Sequence, residues 1–218
     1  MANLTKTEEV FVIDFGDDEN VTTDSWGVEI NDLLDEVEAA EGPKVLVTTG
    51  SGKHYSNGLD VPYMASVERD EISAYVKRIE KVVSRLMLFP APTVAAVNGH
   101  AFGMGAFLVL AHDQSVMRED RGYFCLPEVH LQMSFPRSLM SVLQATLPND
   151  TRRRAVLTGH RFSGPECVEA GVVDAVASAD DLIETAIARG RPHGGSAGPN
   201  LGVIKRQLFA EVAECLGA

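Results

Sequence analysis

Apolar positions along this chain follow two rhythms. Short, nearly unbroken apolar runs recur at 9–15 (EVFVIDF), 44–49 (KVLVTT) and 94–97 (VAAV), the pattern of strands buried on both faces. Between them the apolar residues fall at helical spacing. Trp26, Ile30, Leu33, Leu34 and Val37 follow a capping Thr23 or Asp24, and Ile72, Tyr75, Ile79, Val82, Val83 and Leu86 mark a second helix over 70–88. Gly42-Pro43 and Phe89-Pro90-Ala91-Pro92 stop these two helices. Strand, helix, strand in that order predicts an α/β fold with a parallel sheet.

The densest apolar stretch is 94–111, VAAVNGHAFGMGAFLVLA. Its first run predicts a buried strand, Asn98-Gly99 breaks it, and Gly103-Met104-Gly105 leads into a buried helix over 106–111. Backbone N–H groups left free at such a helix start can hold a developing oxyanion. A glycine-eased turn inside an α/β core is the plainer alternative.

Beyond it, strands are predicted at 114–118 and 122–126, and helices at 137–146 and 150–157. Ser163-Gly164-Pro165-Glu166 has capping-box spacing and opens a short helix that Gly171 closes. A last strand at 172–176 and a helix at 180–189 follow. The Gly- and Pro-rich segment 190–199 is expected to be a linker, with an amphipathic helix after it. The expected division is a core over 1–189, a linker over 190–199 and a C-terminal helix over 200–218.

At 218 residues the chain fits one large domain. A net charge of −12 argues against nucleic acid and anionic membranes as partners, and the scattered acids point to solubility. Cys125, Cys167 and Cys215 form no C-x-x-C pair, which predicts a reduced intracellular protein. The first residues are too polar for a signal peptide, no run suffices to span a bilayer, and the last residues carry no peroxisomal tripeptide. Cytoplasm is the expected compartment for a bacterial chain, with the peroxisome the alternative in a eukaryote.

Gly194-Gly195-Ser196-Ala197-Gly198 matches G-x-S-x-G literally, but no strand enters it, so a nucleophile elbow is not expected. The six histidines form no H-E-x-x-H and flank no cysteine cluster, so no metal is expected. His54 and His130 are the two nearest to suspected chemistry.

Two loops remain, and with them the chain resembles the crotonase superfamily of enoyl-CoA hydratases and isomerases. Tyr55-Ser56-Asn57-Gly58-Leu59-Asp60 is similar to that family's F-[SA]-x-G-x-D, with Tyr for Phe. Asn98-Gly99-His100-Ala101-Phe102-Gly103-Met104-Gly105 is similar to N-G-x-x-x-G-G-G, with Met for the middle Gly. Pro127-Glu128 matches the family's P-E, and the segment 161–176 resembles its A-x-x-x-G-[LV]-V-D. These four stand in the right order along nearly the whole chain.

The resemblance implies a crotonase-type ββα superhelix, a single α/β domain with a terminal helical segment. It implies an acyl-CoA substrate, no separate cofactor because coenzyme A enters with the substrate, and a homotrimer or dimer of trimers. The backbone N–H groups of Leu59 and Met104 would form an oxyanion hole for the thioester carbonyl. Ser56, Gly58, Asp60 and Phe107 would lie along the substrate. Val61-Pro62 replaces the basic residue that many relatives keep after the Asp.

Hydratases of the family resemble one another in using two glutamates. Here the first position is Phe107 and only Glu128 remains, a pattern similar to the Δ3,Δ2-enoyl-CoA isomerases. The run Met117-Arg118 to Asp120-Arg121-Gly122 is similar to short peroxisomal-type members of that group. One base that takes a proton from C2 and returns it at C4 suffices for isomerisation, whereas hydration must also hold water. Glu128 is the expected proton shuttle. The rival readings are hydration or another acyl-CoA reaction on the same fold, or a non-catalytic binding homologue. Longer relatives add further helices after 201–216, a role that Lys205, Arg206 and Phe209 are expected to replace in part.

Overall fold

Alternation between two sheets defines the architecture. The computed structural model describes residues 1–217. A six-stranded sheet has the order β1-β2-β3-β5-β7-β9, built from β1 (Asn3–Thr7), β2 (Val10–Asp14), β3 (Val45–Thr49), β5 (Thr93–Val97), β7 (Gln114–Arg118) and β9 (Ala175–Ala177). Only β1 is antiparallel to its neighbour. A second sheet of three parallel strands, β4 (His54–Ser56), β6 (His100–Phe102) and β8 (Phe124–Cys125), has the order β4-β6-β8. From β3 onward consecutive strands change sheet: β3 gives way to β4, β5 to β6 and β7 to β8.

The unbroken apolar runs have their reason in burial on both faces. On one side Phe11, Ile13, Leu46, Ala95, Val97 and Met117 pack under α1 (Asp24–Ala39), α3 (Arg69–Met87) and α4 (Met104–Leu110). On the other, Val10, Val45, Val47, Val94, Ala96 and Val116 pack against Leu182 and Ala186 of α8 (Leu182–Gly190). Thr23 caps α1, its Oγ1 accepting from the Trp26 N–H at 3.1 Å. The remaining helices are α2 (Val61–Ser66), α5 (Arg137–Thr146), α6 (Asn149–Thr158), α7 (Gly164–Glu169), α9 (Pro199–Leu208) and α10 (Ala210–Leu216). Among the described residues no helix is long and apolar enough to cross a membrane.

Several expectations need correction. The polar start of the chain forms β1, joined to β2 by a tight turn with Glu8 at φ +54°. The strand expected at 172–176 begins only at Ala175. Val172 and Val173 instead turn inward, both N–H groups donating to the Cys167 carbonyl. The segment 190–199 is ordered by packing. Gly190 closes α8 against β3, where a Cβ would fall 2.5 Å from Val45 Cγ1, and Arg191–Ser196 form a 3-10 helix. The Lys44 N–H donates to the Gly194 carbonyl at 3.2 Å. The expected single terminal helix is two, broken at Phe209 (φ −108°, ψ 31°).

Lys205 fastens α9 to the body. Its buried Nζ donates to the Ala91 carbonyl at 2.9 Å and to Asp113 Oδ2 at 2.6 Å.

Candidate active site

Three successive turns of chain each deliver one group to the same end of the small sheet. Leu59 follows β4, Met104 follows β6, and Glu128 follows β8 in the 3-10 turn Pro127–Val129. The first two loops interlock through glycine. A Cβ on Gly58 (φ +87°) would lie 2.6 Å from the Phe102 carbonyl oxygen and 3.1 Å from the Met104 nitrogen. No side chain fits there, so the Leu59 segment passes directly over the start of α4. Among the described residues, neither the Leu59 nor the Met104 N–H has an acceptor. Two free donors on loops in contact suit a polarised carbonyl oxygen.

The loops are also tied by amides. Asn98 Oδ1 accepts from the Gly50 N–H at 2.9 Å, while its Nδ2 donates to the carbonyls of Gly52 (3.0 Å) and His54 (3.3 Å). Asn20, at φ +48°, donates through Nδ2 to the carbonyls of Gly16 (3.1 Å) and His54 (3.0 Å). Tyr75 donates to the Thr22 carbonyl at 2.6 Å and accepts from the Asp60 N–H at 3.0 Å. Sequence reasoning gave no role to Asn20, and read Asn98 only as a motif residue that breaks the strand and Tyr75 only as an apolar position of a helix. Apart from Gly16, four residues from Asn20, their partners lie 15 to 53 residues away, and no local spacing announces them.

Two residues expected along the substrate are engaged in holding the loop. Ser56 is buried, its Oγ donating to the Asn20 carbonyl at 2.7 Å and accepting from the Gly58 N–H at 3.2 Å. Asp60 caps α2, Oδ1 accepting from the Tyr63 N–H at 2.9 Å. Each shapes the backbone, and the hydroxyl of Ser56 is not free to meet a ligand. Phe107 is fully buried, edge-on to Phe135 with ring centres 6.2 Å apart.

Glu128 sits beside the second loop. Its Oε1 lies 3.6 Å from where Gly103 would carry a Cβ, and Gly103 (φ +51°) immediately precedes Met104. Its Oε2 is buried with no hydrogen-bond partner. Burial pushes its pKa up from 4.5 to about 7, opposed only by its own backbone N–H. An orphaned carboxylate oxygen with neutral-range proton affinity makes Glu128 the candidate here for proton transfer. The one fully buried acid among the described residues, Glu80, accepts from Ser138 Oγ at 2.6 Å between α3 and α5. His130 is exposed and lies against Gly159, and the His54 ring lies 5.3 Å from that of His100. Neither histidine is hydrogen-bonded to Glu128.

Residues 5–208 match the family model described as enoyl-CoA hydratase/isomerase. The chain belongs to this family, the crotonase superfamily. It is 30% identical over 222 residues to enoyl-CoA delta isomerase 3 of Arabidopsis thaliana, covering 97% of this chain and 93% of that protein. Among solved structures it resembles an apo enoyl-CoA isomerase of Mycobacterium tuberculosis (TM-score 0.90, 21% identity, 99% of this chain and 94% of that one). It likewise resembles the human mitochondrial delta3-delta2-enoyl-CoA isomerase (TM-score 0.85, 20% identity, 99% and 90%). At such identities these two structures establish the fold, the two-sheet crotonase architecture in one domain.

Proposed function

We propose that this protein is a Δ3,Δ2-enoyl-CoA isomerase, moving a fatty enoyl-CoA double bond from position 3 to position 2. The observation that carries the reading is one carboxylate, Glu128, set beside Gly103 with its Oε2 buried and a pKa of about 7. A base of that strength is half ionised at neutral pH and serves equally as acceptor and donor. Its carboxylate takes the proton from C2, and the electron pair of that C–H bond moves into a thioester enolate. The Leu59 and Met104 N–H groups hold the enolate oxygen. The same carboxyl then delivers its proton to C4 as the double bond settles between C2 and C3, and Glu128 returns to its starting state.

Phe107 supports this reading over hydration. It occupies the place where two-acid members of the family carry a glutamate, and a buried phenyl ring cannot orient water. The delta-isomerase name of the Arabidopsis relative points the same way. The backbone of 56–60 is the path for the pantetheine, its shape set by Ser56 and Asp60. The assembly expected is a homotrimer or dimer of trimers, which light scattering measures.

The test gives the purified protein 3-enoyl-CoA and, separately, trans-2-enoyl-CoA, and identifies products by mass. The first should yield 2-enoyl-CoA, and the second little 3-hydroxyacyl-CoA. Hydration as fast as isomerisation would refute the assignment.

A further inference from the structure

Proton transfer as described leaves unused a line of side chains that runs beneath the site. The Tyr55 hydroxyl lies 2.7 Å from Thr48 Oγ1, and Thr48 Oγ1 lies 2.9 Å from His112 Nε2. His112 Nδ1 in turn lies 2.7 Å from the Leu108 carbonyl oxygen. The last link fixes the direction of all the others. A carbonyl only accepts, so Nδ1 carries the ring hydrogen and Nε2 is left to accept. Thr48 therefore donates to Nε2, and Tyr55 donates to Thr48. Burial of the imidazole pushes its pKa down to about 4, which keeps Nε2 an acceptor at neutral pH. Tyr55 and Thr48 are themselves buried, so water does not compete for these bonds.

What the line connects gives it meaning. Tyr55 is the middle residue of β4, the strand that runs into the Leu59 loop. Leu108 lies in the last turn of α4, the helix whose first residue is Met104, and His112 stands two residues beyond its end at Leu110. At its near end α4 is fastened sterically, since a Cβ on Gly105 would fall 2.3 Å from the Ser56 carbonyl oxygen. The helix is thus held to β4 at both ends, by backbone contact at Gly105 and by the hydrogen-bonded line at His112. The family pattern has Phe where this chain has Tyr55, so the outermost donor is this chain's own.

We propose that Tyr55, Thr48 and His112 are positioning residues for the oxyanion hole, fixing the tilt of α4 on β4 and so the spacing of the Leu59 and Met104 N–H groups. None of the three touches the thioester. The proposal rests on the hole being formed by those two groups, as the function above requires. A misplacement of about 1 Å at such a site can cost ~10²-fold in rate.

Thr48→Val preserves size and breaks both links that Thr48 makes, to Tyr55 and to His112, whereas Tyr55→Phe removes only the outermost donor. Two readouts are needed: kcat and KM with 3-enoyl-CoA, and the infrared carbonyl stretch of a bound saturated acyl-CoA labelled with 13C at the thioester. The stretch reports the grip of the hole without turnover. Thr48→Val should lower kcat by ~10-fold or more at unchanged KM, and move the carbonyl band toward its free position. Tyr55→Phe should move both the same way by less. Circular dichroism verifies the fold, and if Thr48→Val does not fold, Tyr55→Phe decides alone. A folded variant whose carbonyl band stays at the wild-type position overturns the proposal, whatever its kcat. A wild-type protein that shifts the band yet isomerises nothing would sink the assigned reaction and leave the positioning role standing, to be decided by the variants' bands. No band shift in the wild type would sink the hole and the proposal together.

Discussion

Replacing Glu128 by Gln should inactivate the protein and remove the loss of stability that wild type suffers as pH rises. The buried carboxyl has its pKa raised from 4.5 to about 7, so the folded state holds its proton more tightly than the unfolded chain does. As pH rises above about 4.5, the unfolded chain releases that proton first, and the fold is progressively penalised until the folded carboxyl also ionises near 7. At ~1.4 kcal/mol per tenfold change in proton affinity, the full penalty is at most about 3 kcal/mol. Gln carries none of it. Its amide leaves a buried donor unpaired, a fixed cost of ~1–3 kcal/mol that does not vary with pH. The diagnostic is therefore the slope: Glu128→Gln should gain up to ~3 kcal/mol on wild type between pH 4.5 and 8, or roughly 5–10 °C in Tm. Over the same range wild-type kcat/KM should rise with a midpoint near 7, while the variant falls ~10²–10⁴-fold. Paired melts and rate profiles at several pH values measure both. A variant whose stability runs parallel to wild type across this range, or one that keeps its turnover, would refute the account of Glu128.

Three further changes test the scaffold. Gly105→Ala forces a Cβ to within 2.3 Å of the Ser56 carbonyl oxygen; it should cost ~1–3 kcal/mol in a urea melt and most of the activity. Gln132 stands at φ +56°, and Gln132→Gly should raise stability by ~0.5–1 kcal/mol, read as a higher Tm. Lys205→Met strands Asp113, whose side chain is 30% exposed, so the loss should be ~2–3 kcal/mol, below the ~3–5 of a fully buried pair. Adding Asp113→Asn should recover part of that loss, and limited proteolysis should show α9 released first in the single variant.

How legible all this was in the sequence depends on how far apart the partners lie. The helices α1 and α3 stand where their apolar periodicity placed them, because one face of each is a local record of the core. Strands β4 and β6 were hidden inside their loops. Each has three residues, too few for a rhythm, and exists only through pairing with the other. The glycines and prolines of 190–199 suggested a linker, but Gly190 is there to let the chain approach Val45 closely. Ser56 and Asp60 were found by resemblance and assigned to the substrate side; that their hydrogen bonds hold the loop was visible only in the structure. Glu128 stood out only through the family pattern. Its orphaned Oε2 and raised pKa come from burial, which no residue next to it encodes. Thr48 and His112 are 64 positions apart, and nothing in either neighbourhood names the other.

From β3 onward consecutive strands change sheet, and this makes the site separable. In the proposed mechanism one turn of chain supplies the first donor, the next supplies the second, and a third supplies the base, each after its own short strand. An edit to the third turn leaves the first two in place, so a thioester carbonyl stays gripped while the group that acts on it is exchanged. The same scaffold can thus change its reaction without relearning its ligand. A chain that lost Glu128 would not fall silent: it would remain a receptor for activated acyl groups, open to a new acid at 107, at 128 or on a neighbouring turn.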